Sequence, residues 1–282
     1  MTTPASGAKP AAPSTTVQIL DASAWREFRG VPPSAGQNPT THLAKVADGS
    51  GKLRDCFVKI LPLGPALLCE ALGWTLARAC GVSCPAFGAI LLVPLVELRK
   101  SVSLPPWLDG AALWPAWCTE VAAGKSLRQV HKMAFFMAKQ SLFRSQDSRK
   151  IAAFDTWADL RDRNYGNVIK SSKGGYVAID HETLLHDLLW EPFGMRWEPR
   201  SLTAEAAKAL SDVDFRRFQV DMANAANGHA AGLAAVQRDL DAIVAKVITV
   251  PGAAAQLSQV IAALLAQRSA PGWMANHLQV IA

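Results

Sequence analysis

Apolar positions come in short β-type runs over the first 120 residues and recur at helical spacing over most of the remainder. Order is expected to begin near Val17, and Trp25 to Gly30 predicts a first strand. Thr41 to Ala47 and Asp55 to Leu61 flank the turn residues Asp48-Gly49-Ser50-Gly51, which predicts a hairpin. Pro65 to Cys80 predicts a helix, with proline in its first turn and Gly81 as its stop. Val82 to Val93 predicts another strand, Pro94 to Gly110 an irregular or partly helical insertion, and Trp114 to Val121 a further strand that ends in Ala122-Ala123-Gly124. From Ser126 the period lengthens. Val130, Met133, Ala134, Met137 and Leu142 follow a helical repeat, and a second helix is expected from about Arg149 to Leu160. Val168-Ile169 and Tyr176 to Ile179 enclose Ser171-Ser172-Lys173-Gly174-Gly175, the pattern of a second hairpin. The rest reads as alanine-rich helices at roughly 203–212, 213–245, 252–267 and 271–279, interrupted by Gly228, Pro251 and Gly272. Strands first and helices after make the fold class α+β.

Composition narrows the classes. Met1 to about Thr16 is rich in Ala, Pro, Ser and Thr and is expected to be a disordered tail. The chain has 282 residues, ample to bury a core as one large domain or two lobes. Its net charge of +6 suits a phosphate-bearing ligand or an acidic partner, and is too small an excess to claim nucleic acid. The five cysteines, Cys56, Cys69, Cys80, Cys84 and Cys118, mostly sit in apolar runs and read as reduced core residues of a cytoplasmic protein. Cys80 and Cys84 are spaced like metal ligands, yet no second Cys or His pair accompanies them, so buried thiols are the simpler reading. The N-terminus is polar and lacks a signal-peptide core, and the longest apolar run, Ala86 to Val96, contains Pro94 and is too short to span a bilayer. The expectation is a cytoplasmic protein with no membrane partner.

Most of the candidate chemistry lies between Asp155 and His181. Asp162 is followed five positions on by Asn167, and Asp180 closes the hairpin that Asn167 opens. If the turn centres on Lys173 and Gly174, Asn167 faces Asp180 across the strands, where an amide oxygen and a carboxylate can share one hard cation. A loop Asp, an Asn five residues later and an Asp after a hairpin form the phosphotransfer set of kinase-like folds: base, metal ligand, metal ligand. The alternative is three ordinary turn and strand-end residues. Lys59 lies in the apolar run Phe57-Val58-Lys59-Ile60, so its ammonium must be answered by an anion or by water. Glu70, on the next helix, has the small or apolar neighbours Ala66, Gly73, Trp74 and Ala77. A strand Lys and a helix Glu match the pair that positions phosphates in kinases; the alternatives are an edge-strand lysine in water and an exposed helix residue. The stretch holding Lys125, Arg128, Lys132, Lys139, Arg144, Arg149 and Lys150 reads as a solvated basic face more readily than a substrate groove. Asp155 is either a loop-bracing carboxylate or a plain helix residue. Arg163 either pairs with acids near the site or lies on the surface, and His186 reads as a core or helix-end residue.

The runs Asp162-Arg163-Asn164-Tyr165-Gly166-Asn167 and Ile179-Asp180-His181 resemble those of the HipA-like kinases, atypical members of the kinase fold distantly related to phosphoinositide kinases. Leu160-Arg161-Asp162 stands where a conventional kinase has His-Arg-Asp, and Asp180-His181-Glu182 where it has Asp-Phe-Gly. The resemblance implies a two-lobed fold, with a mixed β-sheet N-lobe over 17–120 and a mainly helical C-lobe over 121–282. It also implies ATP, Mg²⁺ and phosphoryl transfer to a Ser or Thr hydroxyl of a protein. Asp162 would orient the hydroxyl, Asn167 and Asp180 would hold metal, Lys59 would hold phosphates and Glu70 would orient Lys59. Ser34, Gly36 and Gln37 are similar to the family's phosphate loop, one residue short and flanked by prolines, and Ser34 is the first candidate for self-phosphorylation; a surface turn is the alternative. Backbone groups near Glu120 and Val121 would meet the adenine, unless that stretch is an ordinary core strand. Several family members are toxins held by a regulatory partner protein, and nothing in this sequence identifies such a partner. A small-molecule or lipid kinase on the same fold, a pseudokinase module and a helical adaptor with no nucleotide site remain alternatives.

Overall fold

The computed structural model describes residues 16–32, 40–62, 64–130 and 132–282. Ser34, Gly36 and Gln37 lie outside them, as does the expected tail up to residue 15. The chain begins with β1 (Gln18–Leu20), β2 (Trp25–Gly30), β3 (Thr41–Ala47) and β4 (Leu53–Ile60), followed by helix α1 (Ala66–Ala79), β5 (Gly88–Pro94), the short α2 (Leu95–Leu98) and β6 (Leu113–Glu120). These strands make one six-stranded sheet in the order β1-β5-β6-β4-β3-β2, antiparallel except where β1 runs parallel to β5. The β3–β4 hairpin is the expected one, with its second strand starting two residues early at Leu53.

Side-chain alternation divides the sheet between two cores. Ala44, Val46, Cys56, Val58, Ile60, Leu91, Val93 and Cys118 bury one face beneath Leu95, Leu98 and Leu108 of the insertion. Ile90 and Trp117 join a larger core that includes α1 and continues into the C-terminal helices. Lys59 alternates with Val58 and Ile60, so it belongs to the α1 face, where α1 is buried on nearly every side.

The Val82 to Val93 expectation needs correcting: only Gly88–Pro94 is strand. Pro85 has no N–H to give a ladder, and its carbonyl instead accepts from Trp74 Nε1 at 2.9 Å and Arg78 Nη1 at 3.0 Å. An unforeseen strand β7 (Gly124–Ser126) joins β8 (Val168–Ser171) and β9 (Tyr176–Ala178) in a three-stranded antiparallel sheet. Gly124 is required there: its φ is +150°, and a Cβ would lie 2.2 Å from the Lys170 carbonyl oxygen.

The helical part comprises α3 (Lys132–Arg144) and α4 (Gln146–Trp157), then, after the hairpin, α5 (His186–Leu189), α6 (Leu202–Ala209), α7 (Asp212–Ala226), α8 (His229–Val247), α9 (Ala253–Arg268) and α10 (Trp273–Leu278). The α4 helix starts three residues before the expected Arg149, because Ser145 caps it by accepting the Ser148 N–H at 3.2 Å. The expected 213–245 helix is divided at Gly228 into α7 and α8. Among the described residues no helix is long and apolar enough to cross a membrane. The protein is thus α+β, an N-terminal β-sheet followed by a mostly helical part.

Candidate active site

Lys59 sits at the centre of an acidic cluster. Its ammonium lies 3.0 Å from Glu70 Oε1, 2.9 Å from Asp180 Oδ1 and 2.5 Å from Glu182 Oε2. Strand β4 supplies the lysine, α1 the first acid, and the residues after β9 the other two. The other oxygen of Glu70 accepts the His181 N–H at 2.8 Å, so one buried carboxylate ties both the lysine and the chain beside Asp180 to α1. This approach depends on Gly73, where a Cβ would come within 2.3 Å of His181 Cβ. Asp180 has φ +65°, a left-handed conformation that Asp tolerates better than most residues.

The charges in this cluster do not balance. Three carboxylates share one ammonium, a formal surplus of two negative charges, and one oxygen from each lies within 4.8 Å of the others. Burial works against the Lys59 ammonium, yet Asp180, Glu70 and Glu182 together hold its pKa well above the ordinary lysine range. Burial pushes the Glu70 carboxyl up to about 7, against the pull of Lys59. The Lys59 shift comes from three acids around one cation, the Glu70 shift chiefly from burial with Asp180 and Glu182 adding to it, and added positive charge would stabilise all three carboxylates. Asp180 behaves differently: burial raises it, but Lys59 outweighs that, and with Arg163 keeps the carboxyl below its usual range. A hard, all-oxygen donor set with surplus negative charge fits a divalent ion such as Mg²⁺.

Arg163 holds the loop that faces this cluster. Its guanidinium is fully buried, with Nε 2.9 Å from Asp155 Oδ2 and Nη2 2.9 Å from Asp155 Oδ1. The remaining nitrogen donates to the carbonyls of Asn167, at 3.3 Å, and Ile179. One side chain therefore fixes the start of the 162–167 loop, its end and the strand before Asp180. Asn167 donates Nδ2 to the Asp162 carbonyl at 2.9 Å, which leaves its Oδ1 as the acceptor end.

The hairpin register differs by one from expectation. Val168 pairs with Ala178, and the Ile179 N–H donates to the Asn167 carbonyl at 3.1 Å, so Asn167 faces Ile179 rather than Asp180. The cause is a three-residue loop, 172–174, in place of a two-residue turn: Ser171 and Gly175 close it at 3.1 Å, and Gly174 takes φ +91°.

Asp162 has a partner that sequence reasoning missed. Arg200 Nε lies 2.9 Å from its Oδ1 and Nη2 3.0 Å from its Oδ2, a bidentate pair, and Asn164 Nδ2 donates to Oδ1 at 3.0 Å. The backbone of residue 200 docks beside it, donating to the Arg161 carbonyl at 2.7 Å and accepting from Arg163 N–H at 2.8 Å. Glu182 was also missed, although an acid two positions beyond a proposed ligand is a usable signal. Glu120 and Val121 do not join the cluster. Their N–H groups donate to the Phe87 carbonyl at 3.2 Å and the Asp55 carbonyl at 2.9 Å, and the Glu120 carboxylate pairs with Arg54 at 3.2 Å. That pair therefore offers an incoming base no unused N–H. Cys80 and Cys84 are free thiols, partly buried, with pKa pushed up to about 12 chiefly by burial. His186 is buried, and its Nε2 accepts the Trp197 N–H at 3.2 Å.

No family model matches this sequence, and no curated protein matches it. Among solved structures, the chain is similar to the toxin HipA of Shewanella oneidensis, determined in a complex with HipB and operator DNA. That likeness is at 12% identity over 91% of this chain and 69% of that one, with a TM-score of 0.39. It is also similar to the MAP kinase LmaMPK10 of Leishmania major, at 10% identity over 90% and 81% of the two chains, with a TM-score of 0.33.

Proposed function

We propose that this protein is an ATP- and Mg²⁺-dependent phosphotransferase acting on a hydroxyl, and more narrowly a Ser/Thr protein kinase of the HipA-like type with a two-lobed kinase-like fold. The observation that carries the reading is the Lys59 ammonium held between buried Glu70 and Asp180, on a frame that Arg163 ties to the Asp162–Asn167 loop. A strand lysine fixed by a helix glutamate is suited to hold nucleotide phosphates, with Glu70 tethering the ammonium to α1 beside Asp180 and Glu182. Asp180 and Asn167, with Glu182 close to Asp180, would hold Mg²⁺, which when bound neutralises charge on the phosphates. Asp162 would orient the acceptor hydroxyl and take its proton, while the hydroxyl oxygen bonds to the γ-phosphorus and the bond from that phosphorus to the departing ADP oxygen breaks. A regulatory partner protein enters this reading by resemblance alone.

A nucleotide-binding module without transfer is the second reading, favoured by one feature: Arg200 covers both oxygens of Asp162. Thermal unfolding with and without Mg-ATP tests binding, since a ligand at a hundred times its Kd adds about 2.7 kcal/mol. Phosphate incorporation into the protein itself and into a soluble proteome tests transfer. Lys59→Ala is expected to weaken both, and Asp180→Asn to remove the Mg²⁺-dependent part of the stabilisation. No Mg-ATP stabilisation of the wild type rejects both readings; stabilisation without transfer selects the second.

A further inference from the structure

Beside Asp162 lies a cavity of about 480 Å³ lined by Arg128, Val130, Phe135, Asn164, Tyr165, Arg200 and Glu205, together with the buried Arg163. Its walls come from the turn after β7, from α3, from the 162–165 loop and from Arg200 with the first turn of α6, so four separate parts of the chain line it and it opens to solvent. Its charges are unevenly committed. Arg163 is answered by Asp155, and Glu205 by the Tyr165 hydroxyl at 2.9 Å, Lys208 at 3.0 Å and Lys139 at 3.4 Å. Arg128 is exposed, and the Arg200 side chain is 50% exposed even while paired with Asp162. The positive charge still open to a ligand therefore belongs to two arginines of the lining, of which Arg200 touches the proposed base.

Arg200 and an acceptor hydroxyl compete for the same atoms. Asp162 has two carboxylate oxygens, and Arg200 holds both. An acceptor carrying an anion near its hydroxyl resolves the conflict, because a guanidinium binds carboxylate and phosphate in the same bidentate way. Arg200 can exchange one anion for the other with a side-chain movement, since its backbone is pinned by the bonds to Arg161 and Arg163. We propose, building on the phosphotransferase reading, that Arg200, assisted by Arg128, is the acceptor-specificity site: it binds a carboxylate or phosphate on the substrate beside the accepting hydroxyl and, in doing so, uncovers Asp162. The substrate class is an anionic alcohol, either a Ser or Thr next to an acidic or phosphorylated residue, or a phosphorylated small molecule. A neutral acceptor has to share the Asp162 oxygens with Arg200 or displace it with nothing to receive it.

The test compares matched acceptors on the full chain with Mg-ATP: a serine peptide flanked by Asp or phosphoserine against the same peptide with Asn or Ser, and glycerol phosphate against glycerol. Wild type is expected to prefer the anionic member by about tenfold or more in kcat/KM, the size of one charge-assisted hydrogen bond of about 1.4 kcal/mol. Whether the peptide or the alcohol pair shows the preference identifies the source of the anion. Arg200→Gln is expected to lose that preference through a higher KM for anionic acceptors, while kcat with neutral acceptors rises as Asp162 is released. Arg128→Gln is expected to lower the preference less. Without ATP, calorimetry with O-phosphoserine should show binding to wild type and weaker binding to Arg200→Gln. Equal use of anionic and neutral acceptors overturns the proposal, as does an Arg200→Gln variant that keeps the preference or loses kcat with every acceptor, since Arg200 would then merely brace Asp162. These outcomes leave the kinase reading standing; absence of both Mg-ATP binding and transfer in wild type removes that reading and this one together.

Discussion

Two bidentate arginine–aspartate pairs begin at adjacent residues of the same loop and differ in almost everything except geometry. Asp162 turns outward to Arg200, at 2.9 and 3.0 Å; Arg163 turns inward to Asp155, at 2.9 Å for both bonds. Opposite directions are what successive side chains of an extended chain impose. The inner pair has side-chain exposures of 0% and 3%, the outer pair 50% and 19%. A contact list would score them alike. Solvent separates them, because a buried ion becomes very costly once its partner is removed, whereas an exposed one is rehydrated. The inner pair can therefore serve as framework and the outer pair as a part that exchanges partners.

The largest effect expected is on chemistry, at the acid of the outer pair. Asp162→Asn should lower phosphate transfer by about 10²–10⁴-fold, the usual range for a positioned base. Mg-ATP binding and unfolding free energy should stay close to wild type. Transfer at the wild-type rate in this variant would remove Asp162 from the chemistry altogether. At the inner pair the effect moves to stability. Arg163→Gln leaves Asp155 buried without its cation and should cost about 3–5 kcal/mol in urea unfolding. Replacing both partners, as Asp155→Leu with Arg163→Met, should recover part of that stability but not the transfer rate. The carbonyls of Asn167 and Ile179 would still lack the donor that aligns loop and strand.

Next in size comes Asp180, whose φ of +65° makes its substitutions unequal. Asp180→Ala should lose about 1–2 kcal/mol from the left-handed backbone alone, and Asp180→Asn less, although both remove the anionic ligand. Equal unfolding midpoints for the two variants would show that the backbone at 180 relaxes when the acid is lost.

What the sequence made legible was local. The β3–β4 hairpin, α1 between Pro65 and Gly81, the break at Gly228 and the loop carrying Asp162 and Asn167 all follow from turn chemistry, caps and periodicity. Lys59 and Glu70 could be singled out because a charge in an apolar setting needs an answer, and the structure brings them into contact with Asp180. What escaped was set by long-range closure. Arg200 reaches Asp162 from 38 residues along the chain, and no periodicity records that return. The strand β7 has only three residues, with Gly124 at one end, and exists because β8 is there to pair with it. The hairpin register was missed by one because Gly174 and Gly175 permit a two-residue turn as readily as the three-residue loop that forms. Ser34, Gly36 and Gln37 lie outside the described residues.

The smallest expected effect is the one that keeps the comparison honest. Arg200→Gln should change the unfolding free energy by no more than about 1 kcal/mol, because an exposed pair returns most of its Coulomb energy to water. What change there is should shrink further at about 1 M salt, where screening acts over roughly 3 Å. The Arg163→Gln loss should persist at the same salt, since counter-ions do not reach a guanidinium with no exposed surface. Urea unfolding of wild type and both variants at low and high salt supplies all six values. A cost of about 3 kcal/mol or more for Arg200→Gln, insensitive to salt, would mean that the 190–200 segment is held by this pair as rigidly as the loop is held by Arg163. In that event the outer pair would be framework too, and an exchange of Asp162 for a substrate anion would be too costly to operate.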